Sequence, residues 1–230
     1  MSTSNLEGRL TPLGSLTEMT QFHMNGNKIS GTIPQSFFNM PKMQLLNLYD
    51  NRLTGSIPLI TSVNSRLMAL SLNDKHLEEG GIPKSLSVMK RFQSLTFSQN
   101  AFNGTTSSEV SDVKSLIDLY LDSNSLSGSI PSTLRLLSKL KMLYLSNNLL
   151  SGTIPVLDQS SLRSVILSVN YLTMGSLEAV PLSTFSASAQ SANIALKSNC
   201  LVFRNPSNPS QDVDATHCKG ERALLNRCCL

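Results

Sequence analysis

Leu116-Ile117-Asp118-Leu119-Tyr120-Leu121-Asp122-Ser123-Asn124-Ser125-Leu126-Ser127-Gly128-Ser129-Ile130-Pro131 returns, with substitutions, along most of this 230-residue chain. Its asparagine recurs as Asn27, Asn51, Asn100, Asn124 and Asn148, at intervals of 24, 49, 24 and 24 residues; the 49 is two repeats plus one inserted residue. Apolar pairs stand five and three positions before it: Phe22 and Met24, Leu46 and Leu48, Leu95 and Phe97, Leu119 and Leu121, Leu143 and Leu145. Behind it come a glycine (Gly31, Gly55, Gly104, Gly128, Gly152) and a recurrent Ile-Pro, at Ile33-Pro34, Ile57-Pro58, Ile82-Pro83, Ile130-Pro131 and Ile154-Pro155.

A unit of 24 residues is too short for two packed helices and their turns. Apolar residues at a spacing of two predict a short strand instead. The asparagine closes that strand where the backbone turns inward and leaves amide groups to be satisfied. A side-chain amide offers two donors and an acceptor, and a buried polar group left unpaired costs on the order of 1–3 kcal/mol. Asn27, Asn51, Asn100, Asn124, Asn148 and Asn170 are therefore predicted to stack as a ladder. The glycine supplies a backbone shape that a Cβ obstructs, and the proline fixes φ and stops a helix from starting before it.

These residues spell LxxLxLxxNxLxGxIP, and the chain resembles the plant-type leucine-rich repeat family over about residues 5 to 175. The resemblance implies an α/β leucine-rich repeat fold: a right-handed curved solenoid with a parallel sheet on the concave face. It also implies a second short strand near Gly-x-Ile-Pro and turn or 3₁₀ pieces on the convex side. We divide the chain into repeats over 1–175 with a partial first unit, a last degenerate coil and C-terminal cap over 176–218, and a tail over 219–230. Asn5-Leu6-Glu7-Gly8-Arg9-Leu10 reads as the second half of a unit whose strand is missing. The third unit has Lys75 where asparagine is expected and an insertion in Glu78-Glu79-Gly80-Gly81, which predicts a bulge and a gap in the ladder. The fourth carries Thr106-Ser107 instead of Ile-Pro. The seventh (Val165, Leu167, Asn170, Leu172) follows after only 22 residues, and Ile194, Leu196 and Asn199 read as one last strand.

Composition narrows the function. With 5% aromatics and no Trp, the core is expected to rest on many Leu-sized positions rather than a few large anchors. A net charge of +4, with no Lys/Arg run longer than two, argues against nucleic acid, which needs a concentrated basic face. No stretch approaches the roughly 20 apolar residues of a membrane span, and Met1 to Leu16 hold no apolar leader core. His23, His76 and His217 fall at three separate places, and neither HExxH nor GxxxxGK[ST] occurs. The reading is therefore a non-enzyme without cofactor or metal. The cysteines, Cys200, Cys218, Cys228 and Cys229, form no CxxC pair. The resemblance implies a Cys200–Cys218 disulfide clipping the tail over the last coil, worth about 3 kcal/mol; two free thiols are the other reading. It also places the chain outside the cell or at its surface. The leader's absence leaves open a piece of a longer ectodomain, a misassigned start or an intracellular form.

Strand alternation nominates the outward positions. Four residues before the ladder stand His23, Asn47, Ser71, Tyr120 and Tyr144; two before it, Asn25, Tyr49, Asn73 and Asp122; one before it, Asp50. A polar, Tyr-dotted, mildly acidic concave surface suits a partner, although tyrosine is also favoured in any strand. The resemblance implies a protein or peptide ligand, with carbohydrate as another, gripped by a recognition module such as a receptor-like ectodomain or a fragment of one. A secreted inhibitor of a cell-wall-degrading enzyme, as in polygalacturonase-inhibitor-like proteins, and an intracellular scaffold are the alternatives. Asn103-Gly104-Thr105 is the one glycosylation sequon without proline.

Overall fold

Each repeat closes one coil, and coils stack through parallel strands. The computed structural model describes residues 4–10, 16–61, 66–73, 77, 81–157, 161–173 and 193–195. Three-residue strands open the coils: β2 (Gln21–His23), β4 (Leu45–Asn47), β6 (Ala69–Ser71), β7 (Ser94–Thr96), β8 (Asp118–Tyr120), β10 (Met142–Tyr144), β12 (Ser164–Ile166) and β14 (Asn193–Ala195). Among the described residues they form one eight-stranded parallel sheet in sequence order. Its register places like on like: Leu46 pairs with Leu70, Leu70 with Leu95, Leu95 with Leu119, Leu119 with Leu143 and Leu143 with Val165. All six side chains are buried, so in these six strands the middle residue points into the solenoid and its two neighbours point out. Hydrophobic burial thus repeats coil after coil, and each coil needs its neighbours to cover it.

A second layer of strands follows the ladder position. β1 (Glu7–Arg9), β3 (Lys28–Gly31) and β5 (Arg52–Leu53) form one sheet; β9 (Ser127–Ser129), β11 (Leu149–Thr153) and β13 (Tyr171–Thr173) form another. Between them the described residues keep only the bridges Gly55–Leu77 and Thr105–Ser127. The interruption falls on the third and fourth units, where the sequence carries its insertion and loses Ile-Pro. Lys75 and Glu78 to Gly80, on which the expected bulge and ladder gap rest, lie outside the described residues. So do Cys200 and Cys218, and most of the expected cap and tail.

The convex side carries α1 (Ser36–Asn39) and 3₁₀ turns at Lys84–Val88, Ser108–Asp112 and Ser132–Leu136. Pro83 and Pro131 sit just before two of these turns at φ −61, where a missing N–H costs nothing. In the fourth unit Ser107 replaces the proline and acts as a cap instead, its Oγ accepting from the Glu109 N–H at 3.3 Å. The core departs from the Leu-sized expectation. Five of the eight phenylalanines, Phe37, Phe38, Phe92, Phe97 and Phe102, are fully buried, and Phe22 lies 4.9 Å from Phe37 between ring centroids. Few aromatics are present, but they are concentrated inside.

The asparagines do what side-chain amides at coil corners can do. Asn148 donates from Nδ2 to the Leu145 and Ser146 carbonyls of its own coil at 3.1 and 3.2 Å, and to Leu121 of the preceding coil at 2.9 Å. Its Oδ1 accepts from the Leu126 N–H at 3.0 Å. Asn51, Asn100, Asn124 and Asn170 repeat this pattern. Asn27 accepts from the Leu6 N–H and donates within its own coil.

Candidate recognition face

The outward side chains of the long sheet lie in columns, because the register never slips. In β8, Leu119 points inward while Asp118 and Tyr120 share the outer face. Tyr120 is in register with Tyr144, and their rings meet edge to face at 4.8 Å and 86°, a geometry that brings a positive ring edge to a negative ring face. Asp122 accepts from the Ser98 hydroxyl at 2.6 Å. Burial holds the Asp118 carboxyl above its usual range, against the opposing pull of Lys141. The Tyr120 phenol is also raised, first by burial and then by Asp118, Tyr144 and Asp122.

Three parts of the sequence reading need correction here. First, the acids of the mildly acidic surface, Asp118 and Asp122, are half-buried. Second, the strand ends four positions before the asparagine. One position before it the chain turns left-handed, with Asp50, Gln99, Ser123 and Asn147 at φ 57, 56, 58 and 54. Asp50 is thus an exposed rim residue and not part of the strand face. Third, the nominated residues do not converge. His23, Asn25, Asn47 and Tyr49 occupy the first two coils, Ser71 and Asn73 the third, and Tyr120, Asp122 and Tyr144 the fifth and sixth. His23 is exposed, its Nε2 3.3 Å from Gln21 Oε1. Asn47 Oδ1 accepts a long 3.5 Å bond from the Tyr49 N–H, and Asn73 Oδ1 is buried without a hydrogen-bond partner. The tight cluster is the one around Tyr120.

An entire column escaped the sequence reading: Gln21, Leu45, Ala69, Ser94, Asp118, Met142 and Ser164, six positions before the ladder. The signal was present, since the period of two simply runs one step further back. Val169 takes the same left-handed slot as Asp50 and Asn147, at φ 56. A β-branched residue is an outlier there, and this one is 49% exposed. Among the described residues no lysine or arginine falls in the outward columns six, four or two positions before the ladder; Lys141 and Arg163 stand on the rim where strands begin.

A second feature lies on the flank. A groove of about 560 Å³ runs between the third, fourth and fifth coils, lined by Gly81, Lys84, Thr106, Glu109 and Pro131 among others. Thr106, in the isoleucine position, is half-buried and donates to the Ser129 carbonyl at 3.1 Å. Glu109 bonds Lys84 at 3.2 Å. Its carboxyl is lowered to about 2, first by the Ser107 hydroxyl, then by its own N–H, Lys84 and Ser108. Asn103, the sequon residue, is exposed close by in sequence. Among the described residues no group of three or more His, Cys, Asp and Glu side chains is placed to hold a metal ion, and no helix is long and apolar enough to cross a membrane. His76 and His217 lie outside the described residues.

Comparison with known proteins agrees with this architecture. The leucine rich repeat model matches residues 18–40, 115–137 and 139–159. Receptor like protein 27 of Arabidopsis thaliana is 33% identical over 66 residues, covering 27% of this chain and 8% of that protein. The plant peptide hormone receptor RGFR1, solved in complex with RGF2, superposes with a TM-score of 0.76 at 31% identity, covering 86% of this chain and 31% of that one. The Arabidopsis receptor kinase HAESA, solved with the peptide hormone IDA and the co-receptor SERK1, gives 0.71 at 27% identity, covering 92% and 34%. The chain thus spans about a third of these solved chains and under a tenth of the curated relative. Repeat motif, stacked parallel coils, asparagine ladder and these likenesses agree: the chain is a leucine-rich repeat solenoid similar to the ectodomains of plant leucine-rich repeat receptors.

Proposed function

We propose that this chain is a non-catalytic recognition module that takes a protein or peptide partner across its concave strand face, as part of a receptor-like ectodomain. The observation that carries the reading is the face itself: seven stacked strands present outward columns of polar, aromatic and a few aliphatic side chains in unbroken register. Such a surface needs no rearrangement to meet an extended ligand, which limits the ordering cost of binding. The solved neighbours whose titles name a peptide hormone support the peptide class of partner. The exposed Asn103 sequon fits an exported chain, in which it is a glycan acceptor.

The test is selection of peptides from a random display library against the full chain, followed by affinity measurement on two variants. Tyr120→Ala/Tyr144→Ala is expected to weaken binding at least tenfold, and the convex Arg135→Ala/Lys139→Ala to leave it unchanged. The reverse pattern would remove the concave face from the account.

A further inference from the structure

Building on the reading above, we propose that the face at the fifth and sixth coils is a subsite for a cationic side chain of an extended peptide partner, a guanidinium above all. It is seated on Tyr120 and Tyr144 between Asp118 and Asp122. Asp118 shares the outer face of β8 with Tyr120, alternate residues of a strand standing about 6.7 Å apart, and Asp122 follows two residues past the strand's end; both carboxylates lie close enough to act on the Tyr120 phenol. The edge-to-face contact at 4.8 Å fixes both rings before any ligand arrives. A ring face offers a cation its negative quadrupole, and a carboxylate beside it offers two acceptors to a planar fork of donors.

Charge distribution makes the choice of occupant. The chain carries 19 Lys and Arg against 15 Asp and Glu, yet among the described residues the outward columns contain Asp118 and Asp122 and no lysine or arginine, with His23 four coils away. Lys141 stands on the rim and lowers Asp118 without closing an ion pair with it. The Ser98 hydroxyl binds one oxygen of Asp122, which orients the carboxylate and leaves its other oxygen for a ligand. Burial holds Asp118 above its usual range, and burial first, then Asp118, Tyr144 and Asp122, raises the Tyr120 phenol. Both effects report a half-desolvated negative site, where a cation interacts more strongly than in open water. An anionic or phosphorylated peptide would meet repulsion at this place.

The experiment titrates the full chain with two capped hexapeptides that are identical and uncharged outside the central position, which holds arginine in one and citrulline, its neutral isostere, in the other. Binding is read from the ring resonances of Tyr120 and Tyr144. The arginine peptide is expected to bind at least tenfold more tightly, to shift both rings, and to lose that advantage in Asp118→Asn/Asp122→Asn. Asparagine at 122 still accepts from Ser98, so the fold is kept, and the citrulline comparison needs no variant at all. Equal binding of the two peptides, or an arginine preference that survives the double substitution, would overturn the subsite. Selection of neutral or acidic peptides that still depend on Tyr120 would also overturn it, while leaving the recognition function standing.

Discussion

Asn148→Ala isolates what one rung of the ladder contributes. Asn148 is 5% exposed, and its amide makes three donations and one acceptance. The accepting carbonyls keep other donors when it is lost: Leu121 is also bonded by Asn124, Leu145 by Asn170, and Ser146 by the Ser123 N–H. The Leu126 N–H has no second partner, so truncation orphans one buried amide, at about 1–3 kcal/mol. Loss of the three donated bonds, each worth roughly 1 kcal/mol net, brings the total to about 4–6 kcal/mol. Asn148→Asp keeps the acceptor for Leu126 but turns a carboxylate toward three carbonyl oxygens. It is expected to cost more than alanine at pH 7, and part of that cost is recovered on acidification as the carboxyl takes up a proton. Urea denaturation of the three proteins, with hydrogen exchange read at the Leu126 amide, measures both effects. A cost below about 0.5 kcal/mol for alanine, the range of an ordinary surface change, or an aspartate variant as stable as wild type at neutral pH, would refute the reasoning.

Three other perturbations probe separate devices. Gly104 and Gly128 both lie at left-handed φ, +78 and +76, but a Cβ at 128 meets Thr105 Cγ2 at 3.0 Å while one at 104 meets nothing within 4 Å. Gly104→Ala is expected to cost about 1–2 kcal/mol from backbone strain alone, and Gly128→Ala more, with the excess removed by Thr105→Ser in a double-mutant denaturation cycle. Val169→Asn relieves a β-branched residue at φ 56 with little buried area lost, and a gain of about 1 kcal/mol in denaturation experiments is expected. Glu109 is lowered from 4.5 to about 2 in the folded chain. Its folded value is depressed, so its contribution is present above pH 4.5 and is lost as pH falls from about 4.5 to about 2. A carboxyl NMR titration should show that depressed midpoint, and Ser107→Ala should move it upward.

Repetition decided how much was legible. Each coil states the same constraints again, so the inward leucines, the ladder asparagines and the parallel stacking could be read from spacing before any coordinates. The columns followed from alternation, but only where the strand was given its full length. Asp118 falls outside the nominated positions because they count the outward face from His23 and Tyr120 rather than from Gln21 and Asp118. The rim was misjudged at Asp50 for another reason: a single left-handed residue leaves little trace beyond a preference for Asp, Asn, Ser or Gly. Val169 breaks even that preference. The Glu109–Lys84 pair joins residues 25 positions apart, one coil plus one residue, and becomes neighbourly only once the stacking is drawn. Phe37 and Phe38 sit on the convex side, where the repeat pattern is weakest, so their full burial had no periodic signal to announce it.

The most direct test of the central claim, that the concave face is the recognition surface, is a hydroxyl-radical footprint of the full chain with and without a selected peptide partner. The account predicts protection of Tyr120, Met142 and Tyr144 on binding, with the exposed convex Leu136 labelled as before. Protection of Leu136, with Tyr120 and Tyr144 labelled equally in both states, would contradict it.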